Sequence, residues 1–165
     1  YGPPIEWPIH TAVHRARPEL DSVAHLHPYW STMFAITDRP MEPVVLAAAR
    51  IGTVPYFEIP HLVTTPELGE KLRESLGDAG VVLMRWHGST VVGRTIEEMF
   101  DRAWAVEENA RLFLAASAIG NVLPVPSDGR QDAGRGGAGR TLNYFANLER
   151  PAGYQRHEGS NAAGG

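Results

Sequence analysis

Residues 22–28 read SVAHLHP, an alternating stretch that places Val23, His25 and His27 on one face of a predicted strand. Pro28 ends this strand, because proline has no backbone N–H to offer to a sheet. Side chains two residues apart on a strand project to the same side, with roots about 7 Å apart, so two imidazoles can converge on one ion. The stretch therefore predicts a strand whose end carries two metal ligands.

A third ligand is predicted from a second strand further along the chain. Val81–Met84 is an unbroken apolar run, short enough for a buried strand, and His87 follows it beside Gly88, which we expect to allow a sharp turn. Three neutral imidazoles with one open position suit a catalytic Zn²⁺, and Mn²⁺, Co²⁺ or Fe²⁺ would also be accepted by such ligands. From spacing alone, a polar strand end without a metal remains the other explanation.

Helical patterns surround these strands. The longest, at 96–119, begins with the capping box of Thr95 and Glu98 and is followed by Gly120. Its inward stripe is predicted to consist of Ile96, Met99, Phe100, Ala103, Trp104, Ala110, Phe113, Leu114 and Ser117. Further helices are predicted through Ile9, Ala12, Val13 and Ala16, over 29–36, and after the cap residue Thr65.

Two more strands are predicted at 54–59 and 90–92, and the apolar stretch 44–49 fits either a helix or a strand. Mixed helices and strands of this kind place the chain in the α/β or α+β class.

The composition excludes several classes of protein. The chain has 165 residues, 43% of them hydrophobic and 21% charged, which is typical of one globular domain. It has no cysteine, which rules out disulfides, cysteine-based zinc or iron–sulfur sites and thiol nucleophiles. A net charge of -4 argues against a nucleic-acid partner. No apolar run approaches the length of about 20 residues that crosses a bilayer, and no signal peptide is visible, so we expect a cytoplasmic protein without a membrane partner.

We expect a catalytic domain over residues 1–123 and a flexible, Gly-rich tail over 124–165 with a short helix at 142–148. The chain begins at Tyr1 without a methionine, from which we expect its N-terminal part to be missing.

Four segments together resemble the class II aldolase and adducin family in their order and spacing. They are 6–10 (EWPIH), 15–18 (RARP), 23–28 (VAHLHP) and 85–88 (RWHG). The long helix, with EENA at 107–110, is similar to the penultimate helix of that family. The resemblance covers roughly residues 3–120.

The resemblance implies a three-layer α/β/α sandwich with a central, mostly antiparallel sheet. It also implies a cyclic homotetramer with active sites at subunit interfaces and a small-molecule substrate. His25, His27 and His87 would be the metal ligands, with Zn²⁺ expected first, and Glu6 would be the acid/base residue, ligating the metal until substrate arrives. Such a metal stabilises the enediolate that remains when a carbon–carbon bond next to paired oxygens breaks.

Two departures from the family pattern argue against a sugar-phosphate aldolase. Pro3 and Pro4 stand where those aldolases carry a serine pair that binds the substrate phosphate, and proline offers a phosphate neither a hydroxyl nor an N–H. Val44 and Val45 stand where a neighbouring subunit would supply a tyrosine. A non-phosphorylated substrate is therefore expected, with decarboxylation slightly favoured over aldol cleavage.

Four further residues are candidates for substrate binding. Arg50, Arg85 and His61 would hold carboxylates, and His10 would contact substrate or orient Glu6, although each has an ordinary surface or packing role as its alternative. Two other functions stay open: an Fe(II)-dependent oxygenase on the same scaffold, and a non-catalytic adducin-like binding module. The last is the weakest, because adducin-type domains lose the metal histidines.

Overall fold

A computed structural model describes residues 2–128 and 139–148 of the chain. The flexible tail is predicted from a segment that lies largely outside the described residues, namely 129–138 and 149–165. The division of the chain at residue 123 stays a prediction.

In the described residues, a four-stranded sheet forms the middle of the structure, in the order β1-β4-β3-β2. The strands are β1 (Ser22–Leu26), β2 (Tyr56–Phe57), β3 (Val81–Met84) and β4 (Gly88–Gly93). The pairs β1–β4 and β3–β4 are antiparallel, and β2 and β3 run parallel. The sheet is therefore mostly antiparallel, as predicted.

Helices cover both faces of the sheet. They are α1 (Trp7–Ala16), α2 (Tyr29–Ala35), α3 (Leu46–Ala49), α4 (Pro66–Leu76), α5 (Ile96–Ser117) and α6 (Arg140–Leu148). Successive residues of β3 point to opposite faces: Val82 packs in a core with α1 and α4, whereas Leu83 packs in a second core with α2 and α5. The two cores on either side of one sheet confirm the predicted three-layer α/β/α sandwich.

Several element boundaries differ from the sequence predictions. The strand predicted at 54–59 is limited to Tyr56–Phe57, the strand predicted at 90–92 extends to Gly88–Gly93, and the ambiguous stretch 44–49 contains α3. The side chains of Thr65 and Thr95 accept hydrogen bonds from backbone N–H groups in the first turns of α4 and α5, as their predicted capping roles require.

The predicted inward stripe of α5 is wrong at Ile96, Trp104 and Ser117, which are exposed, although Met99 and Ala103 pack against the second core as predicted. Ile96 and Trp104 are exposed, whereas Asp101 and Asn109 are buried. Hydrophobicity alone predicts an inward position for Trp104, but its side of α5 faces α6: the ring of Phe145 lies 4.7 Å from that of Trp104. Within the described residues, no helix is both long and apolar enough to cross a membrane.

Candidate metal centre

Four side chains from separate parts of the chain meet at one end of the sheet, where β1 stops and the β3–β4 turn begins. Glu6 stands at the N-cap position of α1, His25 lies on β1, His27 follows β1, and His87 lies between β3 and β4. One ligand atom of each lies within 4.8 Å of those of the others. All four residues that the sequence assigned to metal binding and acid/base chemistry are therefore brought together.

The strand register explains why the three histidines meet. Leu26 is paired with Ser89, and Met84 is paired with Gly88, so β1 ends where the β3–β4 turn begins. His27 and His87 extend from that common edge. The turn differs from the prediction: the left-handed residue is Trp86, with φ of 57°, and not Gly88. Gly88 is instead required by close packing, because a Cβ atom there would lie 2.2 Å from the carbonyl oxygen of Leu26.

The imidazole of His25 is held by a backbone carbonyl. Its Nδ1 lies 3.1 Å from the carbonyl oxygen of Ser89, which can only accept, so Nδ1 carries the proton and Nε2 carries a lone pair. Nε2 is buried and has no hydrogen-bond partner, yet it lies 3.2 Å from Oε2 of Glu6. Burial lowers the pKa of His25, while the neighbouring Glu6 carboxylate opposes that shift. The side chain is therefore neutral at neutral pH, as a metal ligand must be.

His87 and His27 complete the cluster. Nε2 of His87 lies 3.5 Å from the same Oε2 atom of Glu6, and burial lowers the pKa of His87 below its ordinary value. The His27 ring is exposed and lies 4.7 Å from the His25 ring and 4.9 Å from the His87 ring, between centroids. A second imidazole with a lowered pKa thus faces the carboxylate, and the His27 ring lies beside it.

The Glu6 carboxylate is oriented by the backbone on its other side. The N–H of Val63 donates to Oε1 at 2.8 Å, which turns Oε2 toward the histidines. Ligand bonds of about 2.0–2.1 Å in a tetrahedral site place neighbouring ligand atoms about 3.3 Å apart. The separations of 3.2 and 3.5 Å from Oε2 to two imidazole nitrogens are of this size. The donor set and the buried, unpartnered Nε2 therefore fit a divalent metal ion.

An open cleft of about 310 Å³ lies beside His27 and His87. Its remaining walls are Pro28, Tyr29, Thr32, Met33 and Ile36. These lining residues include no lysine or arginine, and most of the wall is apolar. The cleft therefore opens beside two of the four clustered side chains.

The structure does not bring Arg85 or Arg50 to the cluster. The Arg85 guanidinium donates to Glu58 at 2.9 Å and lies 4.0 Å above the Tyr56 ring. Arg50 is exposed, and its charge acts on Arg102, whose guanidinium donates to the carbonyl of Val92 near the far end of β4. Their proposed roles in carboxylate binding stay predictions without a described contact to support them.

The other two candidates for substrate binding, His10 and His61, lie nearer to Glu6 along the chain or through a hydrogen-bond partner. His10 follows Glu6 on α1, and His61 precedes Val63, whose backbone N–H donates to Glu6. His10 is half-buried on α1, and burial, followed by the charge of His14, lowers its pKa. His61 is exposed and lies two residues before Val63, the backbone partner of Glu6. Among the described residues, no hydrogen bond, ion pair or ring contact joins either ring to the cluster, so both roles stay predictions.

Sequence reasoning missed the groups that orient the cluster. The carbonyl of Ser89 and the N–H of Val63 are backbone atoms, and no residue type in the sequence marks them. Only the strand register and the path of the 61–63 segment place them beside His25 and Glu6.

Comparison with known proteins identifies the family of the chain. The Class II Aldolase and Adducin N-terminal domain matches residues 1–114, and the chain therefore belongs to the class II aldolase and adducin family. Class II aldolases depend on divalent metal ions, and Glu6, His25, His27 and His87 together could hold one.

Two relatives and one solved structure show the range of the family. The chain is 33% identical over 129 residues to 3,4-dihydroxyphthalate decarboxylase of Rhodococcus jostii, covering 74% of this chain and 53% of that protein. It is 30% identical over 131 residues to 5-methylthioribulose-1-phosphate/5-deoxyribulose-1-phosphate aldolase of Escherichia coli O45:K1, covering 76% and 60%. An aldolase II superfamily protein from Pseudomonas syringae shares the fold with a TM-score of 0.70 and 24% identity, covering 86% and 59%. The chain thus spans little more than half the length of these relatives.

Proposed function

We propose that the protein is a divalent-metal-dependent carbon–carbon lyase that decarboxylates a non-phosphorylated, hydroxylated carboxylate. The observation that carries this proposal is the convergence of the Glu6 carboxylate and three imidazoles on one point. Membership of a family whose similar members are named decarboxylases and aldolases supports it.

His25, His27 and His87 would hold the metal ion, and we propose Zn²⁺ because three neutral imidazoles with an open position are typical of catalytic zinc. Mn²⁺, Co²⁺ and Fe²⁺ remain alternatives, since affinity order alone does not select among them. When bound, the ion supplies Lewis-acid stabilisation of the negative charge that develops as the carbon–carbon bond breaks.

Glu6 is the proposed acid/base residue, and its two oxygens have different tasks. Oε1 is occupied by the Val63 N–H, so the carboxylate keeps its orientation while Oε2 exchanges a proton. In decarboxylation the bond to the carboxylate carbon breaks, CO₂ leaves, and the electron pair stays on the carbon that carried it. Oε2 of Glu6 first takes a proton from a hydroxyl group of the substrate and then delivers it to that carbon, which returns Glu6 to its carboxylate form.

The substrate class follows from the walls of the cleft. A phosphate is best bound by lysine, arginine or several N–H groups, and the seven residues around the cleft offer no cationic side chain of that kind. At the N-terminal end of the site, Pro3 and Pro4 offer a phosphate no N–H donor. Tyr29 and Met33 instead suit the ring of an aromatic compound. The decarboxylase relative, named for 3,4-dihydroxyphthalate, agrees with this choice.

The test is product formation by the purified protein loaded with one metal at a time. With 3,4-dihydroxyphthalate and related hydroxybenzoates we expect metal-dependent release of CO₂, absent in His25→Ala and retained in His14→Ala. His14 is an exposed histidine that contacts the carbonyl of Leu20, outside the cluster. Aldehyde formation from a sugar phosphate without CO₂ release would refute decarboxylation in favour of aldol cleavage. Oxygen consumption that requires Fe²⁺ would indicate an oxygenase.

We further propose that the protein acts as a homotetramer with this edge of the sheet at a subunit interface. Tyr29, Ile36 and Trp86 are large apolar side chains near the cleft with more than half of their surface exposed. Light scattering should give four times the chain mass, and a monomer in the metal-loaded state would contradict the proposal.

A further inference from the structure

The helix that borders the cleft lacks a capping side chain of its own. α2 starts directly after His27 and Pro28, and its N-cap residue, Pro28, makes no side-chain cap. The first N–H groups of a helix have no partner inside it and must find acceptors elsewhere. The carboxylate of Glu107, on α5, is the acceptor for two of these groups. The N–H of Trp30 donates to Oε1 at 2.7 Å, and the N–H of Ser31 donates to Oε2 at 2.9 Å.

This contact bears on His27, whose ring packs against the rings of His25 and His87 but is held by no hydrogen bond among the described residues. Within the described part of the chain, His27 has no hydrogen bond comparable to the one between His25 and Ser89. Its position is therefore set by the end of β1 on one side and by the backbone that leads into α2 on the other. Pro28 restricts the backbone of His27 to the extended region, so a shift in the start of α2 is passed on to the His27 ring.

The same helix also forms one wall of the cleft. Tyr29 and Thr32, both on α2, line the cleft together with His27. A shift of the first turn of α2 would move a metal ligand and the substrate wall in the same direction. Two hydrogen bonds to one carboxylate, with the negative charge at the positive end of the helix, oppose such a shift.

We propose that Glu107 is a positioning residue that sets the geometry of the metal site through the first turn of α2 and His27. It touches none of the four ligand side chains, so it acts only through that turn. The inference rests on the proposed metal-dependent function. It adds a residue that lies 80 positions beyond His27 in the chain.

The test compares Glu107→Gln with Glu108→Gln. Glutamine at 107 can accept only one of the two hydrogen bonds and turns an N–H donor toward the other, and it removes the charge. Glu108 is the matched control, since its carboxylate pairs with Arg111 at the surface. Each purified variant is titrated with Zn²⁺ against a chromophoric chelator, and the Co²⁺-loaded form is examined by visible absorption.

We expect Glu107→Gln to weaken Zn²⁺ binding about tenfold and to alter the Co²⁺ spectrum, while Glu108→Gln changes neither. In a His27→Ala background, Glu107→Gln should have no further effect on Zn²⁺ binding, because Glu107 acts on the metal site through the position of the His27 ring. A purely structural role would lower the melting temperature and leave Zn²⁺ affinity and spectrum unchanged.

The results that overturn the proposal are distinct from failure of the proposed function. Zn²⁺ affinity of Glu107→Gln within twofold of wild type, or an equal loss in the His27→Ala background, would refute the role of Glu107. If Glu107→Gln fails to fold, Glu107→Asp is measured in the same way, and failure of both to fold would show that Glu107 supports the whole fold instead. Absence of Zn²⁺ binding by the wild type would refute the metal site itself.

Discussion

Replacing Gly88 with alanine probes the contact that joins the fold to the metal site. A Cβ atom at this position would lie 2.2 Å from the carbonyl oxygen of Leu26 and 3.0 Å from Cδ2 of His27. The first of these neighbours is backbone and cannot rotate away. Ordinary contact requires about 3.5 Å, so β4 and the end of β1 would have to separate by about 1 Å.

The cost of that separation has two parts. Inserting a methyl group into a closely packed place costs about 1–3 kcal/mol. Weakening the ladder hydrogen bonds near the Leu26–Ser89 pair adds about 1 kcal/mol. We therefore expect Gly88→Ala to reduce the free energy of unfolding by about 3 kcal/mol. His27 would move with the strand end, and Zn²⁺ affinity should fall at least about tenfold.

Urea unfolding of the metal-free protein and Zn²⁺ titration measure the two effects separately. Gly120→Ala is the control, because a Cβ atom there meets nothing within 4 Å, and its stability should stay within about 0.5 kcal/mol of wild type. If Gly88→Ala changed the free energy of unfolding by less than about 1 kcal/mol and left Zn²⁺ affinity intact, the close approach of β4 to the end of β1 would be refuted.

Three other changes have defined outcomes. Glu6→Gln should keep the metal but lower CO₂ release by about 10²–10⁴, measured as kcat, and a full rate would remove Glu6 as acid/base residue. Because burial lowers the pKa of His25 and His87, the unfolded chain binds more protons below about pH 6.5. The free energy of unfolding of the metal-free protein should therefore decrease as the pH is lowered from about 7.5 to about 5.5. Urea unfolding curves that coincide across this range would contradict this expectation. Phe145→Ala should shift the fluorescence of Trp104 to the red and cost about 1 kcal/mol of stability, because its ring packs 4.7 Å from that indole; unchanged emission would contradict the α5–α6 contact.

Much of the fold and the set of clustered side chains could be predicted from the sequence. Alternation at 22–27 and the apolar run Val81–Met84 correspond to β1 and β3, because a period of two reports which side chains face a sheet. The combination of Glu6, the His25–His27 pair and a distant His87 was specific enough to predict which side chains meet, and the structure brings them within 4.8 Å.

The parts that could not be predicted depend on contacts between distant segments. Ile96 and Trp104 carry the hydrophobicity of an inward stripe, but their side of α5 faces α6 and solvent instead of the sheet. Arg50 and Arg85 are candidates for carboxylate binding by residue type alone. In the structure, the Arg85 guanidinium donates to Glu58 and lies over the ring of Tyr56. Sequence spacing reports periodicity within one element and carries no signal for such pairings.

The metal content of the purified protein tests the central claim most directly. Elemental analysis of the wild type beside His25→Ala should find about one Zn²⁺, Mn²⁺, Co²⁺ or Fe²⁺ per wild-type chain and a loss of that metal in the variant. Folded, metal-supplemented wild-type protein without any of these ions, or with equal amounts in both proteins, would contradict a metal centre formed by Glu6 and the three histidines.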